Sequence, residues 1–367
     1  MAKPSASTAH VWVNCPGSVA LATASPDPDR DAPRRLEGRE WHAVAETYLK
    51  EGKLTGTDEQ QAGAELYRET LTALAPWGAW RAEKSVDLSW IHPSIPPGRV
   101  DASAWRDGWL RVADYKAGRS YVSELDNWQA MLYLAGLLHQ LQQDGEVPDT
   151  PQAEEAIRIS VTIVQPRYYG QHPQARTWTG RASVLRAFVN LARDAAELTQ
   201  AEAPPLKVGP WCAKCDAKHA CDLLSTASGA IAEWAEEARP VPPTPERVGL
   251  ELRMLHEAQK LLKARADGLE AQALHFLQRG QGVAGFEMGT TQPRERFDPE
   301  RVEELLALGQ LLGVDLAKPR EPITPAQARK LGIDKGVIDS YAIRPAGERK
   351  LVPVDFDYSK RIFSNGK

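Results

Sequence analysis

Residues 98–118 read GRVDASAWRDGWLRVADYKAG, and the fold turns on this stretch. Two runs with strand-like alternation, Arg99–Trp105 and Trp109–Lys116, flank Asp107-Gly108, a pair that favours the two-residue type I′ turn of a β-hairpin. With those two residues as the loop, Asp101 comes directly across from Asp114, the Cβ atoms about 5 Å apart. Lys116, two residues beyond Asp114, points to the same face of the pleat. Val100, Ala102, Ala104, Ala113 and Tyr115 form the other face, a candidate core side. Facing carboxylates repel unless a proton or a cation lies between them, and Mg²⁺ or Mn²⁺ takes such oxygen ligands. A lysine beside them can stabilise negative charge that develops in a reaction. The hairpin alone leaves a second reading open: a solvated face with scattered charges.

Outward from the hairpin, helices and strands alternate. Upstream, a helix is expected over Leu36–Leu49, with Trp41, Val44, Ala45 and Tyr48 inward and His42 and Glu46 one turn apart. A second follows over Asp58–Ala75, then a strand over Arg81–Ile91. Downstream, Ser123–Leu141 reads as a helix that buries Leu125, Trp128, Leu132, Ala135 and Leu138 and sets Gln129 and Tyr133 in i,i+4 register. Ile157–Gln165 reads as a central strand; a loop leaves it, and Thr179 is a candidate cap for a helix to Thr199. The class is α/β, a short mixed sheet flanked by helices.

At 367 residues there is room for two domains, and 42% hydrophobic with 26% charged residues describes a soluble globular chain. No apolar run approaches the ~20 residues of a membrane span. The first residues lack a signal-peptide pattern, so a cytoplasmic location is expected. The net charge of −4 gives nucleic-acid binding no global support; a local basic groove would have to supply it. The Pro-rich stretch Arg239–Pro245 marks a linker. Beyond it Val248, Leu252, Leu255, Gln259, Leu262, Ala266, Leu269, Ala273 and Phe276 follow steps of four and three, a heptad seam. Its cover is either a later helix over Pro299–Leu312, the expected outcome, or a second copy of the chain. Gly285–Phe297 and Tyr341–Val354 read as short β pieces. The expected division is 1–225, a linker over 226–245, and a mainly helical 246–367.

The cysteines carry a second signal. Cys212-x₂-Cys215-x₅-Cys221 lies in one compact loop, and Cys15 stands far upstream. Four thiolates suit tetrahedral zinc or an iron–sulfur cluster, with His219 able to replace a cysteine in the zinc case. Either metal would staple the N-terminus to the end of the first domain.

Taken together, Glu37-Gly38-Arg39-Glu40-Trp41-His42, Gly98-Arg99-Val100-Asp101, Ala113-Asp114-Tyr115-Lys116 and Gln129-x₃-Tyr133 resemble the RecB-type nucleases of the PD-(D/E)XK superfamily. The cysteine arrangement resembles the iron–sulfur subgroup, with its AddB-like and CRISPR-associated RecB-like exonucleases, and above all the phage-encoded stand-alone members. The likeness covers roughly residues 8–225. Asp114 stands where Glu is common, which the superfamily permits. The C-terminal third resembles only uncharacterised phage sequences. The resemblance implies a restriction-endonuclease-like core and a Mg²⁺ or Mn²⁺ site of His42, Asp101, Asp114 and the main-chain carbonyl of Tyr115. It implies that Lys116 activates water and stabilises the phosphate, and that Gln129 and Tyr133 contact DNA or hold Lys116. It further implies a [4Fe–4S] cluster on Cys15, Cys212, Cys215 and Cys221, structural Zn²⁺ being the alternative.

The expected activity is a DNA exonuclease acting on single strands or duplex ends in recombination or replication of a mobile element. Two rivals are a non-cutting DNA-end-binding subunit and a zinc-stabilised scaffold or assembly protein. Arg167, Tyr168, Tyr169, Arg176, Trp178 and Arg181 mix cations with aromatics as single-strand-binding surfaces do. Expected partners are DNA, a single-strand-binding or annealing protein or a helicase, and a second copy of the chain through the heptad helix or the nuclease domain; no membrane is expected.

Overall fold

Asp107 and Gly108 both take positive φ, +52° and +72°. That is the backbone a type I′ turn demands, and the hairpin closes where the Asp-Gly pair puts it. The computed structural model describes residues 2–25, 33–236 and 244–289. In it the hairpin strands are β2 (Gly98–Arg106) and β3 (Trp109–Tyr115), paired from Arg106 opposite Trp109 to Ala102 opposite Ala113. The ladder stops there, one pair short of Asp101 and Asp114. On its outer side β2 pairs antiparallel with β1 (Trp80–Val86), but the ladder skips Glu83, whose φ is +55°. β3 pairs on its other side in parallel with β4 (Arg158–Val164) through Tyr115 opposite Val164. Thus β3 runs on along β4 while β2 has parted from it, and the strands open at the two aspartates.

A fifth strand, β5 (Ala175–Arg181), pairs antiparallel with β4 and completes a five-stranded mixed sheet in the order β1-β2-β3-β4-β5. The sequence reading places no strand over this stretch. Thr179 lies inside β5 rather than at a helix start, and the following helix begins only at Leu185. Thr177, Trp178 and Thr179 are good strand formers, but the run is short and ends in charge. β1 ends at Val86, short of the expected Ile91.

Helices cover both faces. On one, α3 (Pro33–Glu51) and α4 (Asp58–Leu74) bury Trp41, Val44, Ala45, Tyr67 and Leu71 against Ala102, Ala104, Ala113 and Tyr115. Thr57 caps α4 reciprocally with Gln60, which fixes its first residue. On the other face lie α1 (Ala9–Trp12), α5 (Trp128–Gln143) and α7 (Leu185–Thr199), packed with Val100, Leu110, Val112, Ile159, Val161 and Ile163. The expected single core side of the hairpin is therefore split: Val100 belongs to the second core, the others to the first. Strand β2 changes its allegiance where it leaves the ladder with β3.

α5 begins at Trp128, five residues later than the apolar pattern indicates, because Asn127 accepts the Ala130 N–H at 3.1 Å and caps it there. From Ala130 to Leu138 every residue of α5 is buried, so it is a central helix rather than an amphipathic cover. Two short helices complete this layer, α2 (Gly17–Ala24) and α6 (Pro151–Ala156). Beyond α7 a 3₁₀ turn, Pro210–Lys214, leads to α8 (Asp222–Glu236), which occupies much of the expected linker. α9 (Pro245–Gln278) packs against that turn and α8, and the described residues up to Met288 form one compact unit. The candidate helix over Pro299–Leu312, the β piece at Tyr341–Val354 and most of the one at Gly285–Phe297 lie outside the described residues; Val283 does make an isolated bridge with Phe286. No helix among the described residues is long and apolar enough to cross a membrane.

Candidate functional site

The parting of β2 from β3 leaves the Tyr115 N–H without a ladder acceptor, and the carboxylate of Asp101 takes it. Tyr115 N donates to Asp101 Oδ2 at 2.8 Å. The next residue keeps its place beside β4, Lys116 N donating to Val164 O at 2.9 Å. Lys116 is therefore held by the sheet while its side chain reaches back. Its Nζ lies 2.9 Å from Asp114 Oδ2 and donates to Gln129 Oε1 at 3.2 Å. Gln129 and Tyr133 come from consecutive turns of α5. Tyr133 passes tightly over β2 at Gly98, where any Cβ would run into its ring. From the opposite layer α3 brings His42, whose Nδ1 is 3.6 Å from Asp101 Oδ2 and whose ring meets Tyr115 edge-on at 5.6 Å.

Electrostatics follow from burial. Asp101 is pushed up to about 8, first by burial and then by the charge of Asp114. Burial also lowers His42, which leaves a neutral imidazole with a lone pair to offer. Burial pulls Lys116 down as well, but Asp114 and Asp101 outweigh it and hold the ammonium above its ordinary value. Asp114 is 8% exposed, and its Oδ2 makes an ion pair with Lys116 but no hydrogen bond of good angle. Two carboxyl groups and a neutral imidazole in one place are donors that suit Mg²⁺ or, with the imidazole, Mn²⁺. Among the described residues no group of three or more His, Cys, Asp and Glu side chains is drawn together as a metal site; His42 lies beside Asp101, and Asp114 beside Lys116.

The four cysteines are also neighbours. Cys15 lies between α1 and α2, and Lys207 N points at its Sγ at 3.4 Å; Gly209 N approaches Cys212 Sγ at 3.5 Å and Leu224 N approaches Cys221 Sγ at 3.4 Å. None is in a disulfide. Burial raises the thiol of Cys215 to about 12, with smaller contributions that include Cys15, Cys212 and Cys221. Burial first, and the neighbouring thiols after it, hold Cys15, Cys212 and Cys215 protonated, while backbone N–H groups point at three of the four sulfurs; thiolates of such a set are the donor type that zinc and iron–sulfur clusters take. Cys212 and Leu224 pack with Ala264 of α9. Gly268 allows this approach, because a Cβ there would come within 2.9 Å of His219 N.

Of the six residues expected on a nucleic-acid surface, the structure keeps few together. Arg167 pairs with Glu37 at 2.8 Å and lies over Trp41, bridging the site-side layer. Arg176 is buried and donates to Val122 O at 2.9 Å and Gln165 Oε1 at 3.0 Å, so it is structural. Trp178 is core. Arg181 opposes Arg158 at the far end of β5. Tyr168 and Tyr169 stand in the loop after β4, Tyr169 at 75% exposure. A cleft of about 650 Å³ lies apart from the aspartates, lined by residues of the cysteine loop and α9, among them Lys214, His219 and Lys263.

Two site neighbours carry no motif. His10 on α1 has a buried Nε2 with no hydrogen-bond partner and is lowered to about 4 by burial, then by the charges of Lys214 and Lys116. Lys214, next to Cys215, is itself lowered by burial and by Lys116. Their only sequence signal is closeness to cysteines, five residues and one residue away.

The family model described as "Protein of unknown function (DUF2800)" matches residues 2–357. Among solved structures the chain is similar to one titled "Crystal structure of SSO0001", at 17% identity over 58% of this chain and 84% of that one, with a TM-score of 0.30.

Proposed function

The chain belongs to the DUF2800 family of proteins of unknown function, and we propose that this member is a divalent-metal-dependent deoxyribonuclease with a RecB-type core. It hydrolyses phosphodiester bonds as an exonuclease on single strands or duplex ends. The supporting observation is the convergence of Asp101, Asp114 and Lys116 where β2 parts from β3, with His42 brought over from α3. Asp101, Asp114, His42 and the Tyr115 carbonyl would hold Mg²⁺ or Mn²⁺, which when bound neutralises phosphate charge and makes hydroxide available at neutral pH. Lys116 stays charged and is aimed by two anchors, Asp114 and Gln129, so its ammonium is preorganised for charge that grows on the phosphate. Tyr133 shares a side-chain hydrogen bond with Gln129, the second of those anchors, and so steadies it. Asp101 must give up its proton before it can serve as a ligand, so metal binding releases protons. The four cysteines would hold a [4Fe–4S] cluster, with structural Zn²⁺ as the alternative.

End-labelled single- and double-stranded DNA with Mn²⁺, against the same reaction in chelator, tests the reading. Cleavage is expected only with the metal. Asp114→Ala should abolish it, and Lys116→Ala should slow it about 10²-fold or more while metal and DNA still bind. Cutting that persists in chelator, or in both variants, overturns the proposal.

A further inference from the structure

Lys116 directly follows β3, and the chain beyond it is pinned to the residue after β4. Gln165 Nε2 donates to Gly118 O and Ser120 O, both at 2.6 Å, and Gln165 Oε1 accepts from Val122 N at 3.3 Å. Because β3 and β4 are parallel, the loops after both strands leave the same end of the sheet, the end that bears Asp114 and Lys116. There they bring three rings together. Tyr121 lies 5.6 Å from Tyr168 and 4.7 Å from His172, and Tyr168 is stacked with His172 at 6.4 Å and 24°. The guanidinium of Arg176 backs two of these rings, 4.9 Å from Tyr121 and 5.2 Å from Tyr168. Its own hydrogen bonds and its 3.5 Å pairing with Glu124 fix it in the protein. His172 is exposed and Tyr168 half-buried, so the cluster is a rigid aromatic rim and not a core.

We propose that Tyr168 and His172, supported by Tyr121, stack an unpaired base of a single DNA strand whose backbone leads to Lys116. The inference rests on the nuclease reading for its substrate and adds to it a preference for single-stranded over fully paired DNA. Tyr121 is five residues beyond Lys116, at most about 18 Å of extended chain, so the stacked base and the scissile phosphate lie within a few nucleotides of each other. Stacking is indifferent to base identity, since every base has a π-face, so the rim selects strand state and not sequence. In a closed duplex the bases are already stacked on one another and offer no face to it. The protein's net charge of −4 makes this contribution matter more, because bulk electrostatics supply little attraction for DNA.

The test is fluorescence anisotropy of the full chain in chelator at fixed salt, with labelled (dT)₂₀ and a blunt duplex of equal length. Wild type should prefer (dT)₂₀. Tyr168→Ala should weaken (dT)₂₀ binding about 5- to 100-fold and leave duplex binding unchanged, whereas Tyr168→Phe should keep both affinities. His172→Ala, on the exposed loop, serves if Tyr168→Ala does not fold, and should weaken (dT)₂₀ alone. Unchanged (dT)₂₀ affinity in the alanine variants, or an equal loss on both DNAs, overturns the proposal even if the metal-dependent enzyme cuts DNA. Strand-selective loss with no cleavage under any metal leaves the rim standing and removes the nuclease reading.

Discussion

Asp101 and His10 are both half-buried, and their effects on stability run in opposite directions with pH. The folded protein holds the Asp101 proton up to about pH 8, well above the ordinary carboxylate value of 3.8. Between those limits the folded state binds a proton that the unfolded state has lost. Metal-free stability therefore falls as pH rises through the window, by at most about 1.4 kcal/mol per pH unit. His10 is lowered from 6.5 to about 4, so it favours the unfolded state as pH falls through that range. The two slopes oppose each other below pH 6.5, and only Asp101 acts above it. In chelator, the melting temperature is thus expected to drop between pH 6.5 and 8.5. Asp101→Asn, which resembles the protonated form, should flatten that drop while removing activity. A wild-type slope that the asparagine variant retains would mean that another group titrates there. Lost activity with unchanged or improved stability would mark Asp101 as a residue kept for chemistry at the cost of the fold.

The same tension between function and packing appears in whole elements, and it decides what could be read from sequence. The hairpin was legible because Asp107-Gly108 permits one turn type and the alternation on both sides agrees with it. The opening of the strands beyond Ala102 was not: no residue type announces that a ladder ends, and Asp101 was expected to be simply paired. β5 hides in a run too short to show a period. α9 was expected as a long helix and is one, but the face it buries is not the heptad seam. Leu255, Leu262, Leu269 and Phe276 are 38–47% exposed, whereas Ala264 and Gly268 face the cysteine loop, with Arg265 Nη1 donating to His219 O at 2.7 Å. Close approach to a loop needs small residues, and small residues add little to a hydrophobic pattern that follows leucines. Gly268→Val should therefore part α9 from the cysteine loop and cost about 1–3 kcal/mol. Leu262→Asp should change the stability of a monomer by no more than about 0.5 kcal/mol. Denaturant titration with light scattering checks both: if Leu262→Asp instead halves the particle mass, the seam joins two copies of the chain.

At the scale of the molecule, a metal held by the four cysteines would close a very long loop. Cys15 follows α1, whose Ala9 and Trp12 are buried in the core with α5 and α7, and its sulfur meets the segment that begins the cysteine loop. A cross-link that closes a loop of roughly 200 residues in an otherwise free chain is worth about 5 kcal/mol. Here part of that entropy is already spent: Trp12 is 1% exposed, and Gly17 N donates to Pro205 O at 2.9 Å without any help from sulfur. A metal on the four sulfurs would therefore add a smaller share, and it would also help hold Lys214 and His10 near Lys116. Cys15→Ser should cost about 2 kcal/mol in denaturant, release the bound metal, and expose the first 25 residues to protease. Anaerobically purified wild type should be brown if the metal is an iron–sulfur cluster and colourless with one zinc if it is not, and the staple argument holds in either case. Because the aspartates are carried by the sheet and not by the staple, Asp114 and Lys116 should keep their pairing in Cys15→Ser. Cleavage by that variant should be slowed through the displaced N-terminal segment, and not abolished as in Asp114→Ala. A Cys15→Ser protein that keeps its metal, its stability and its resistance to protease would show that Cys15 is not a ligand and that the N-terminus is held by packing alone.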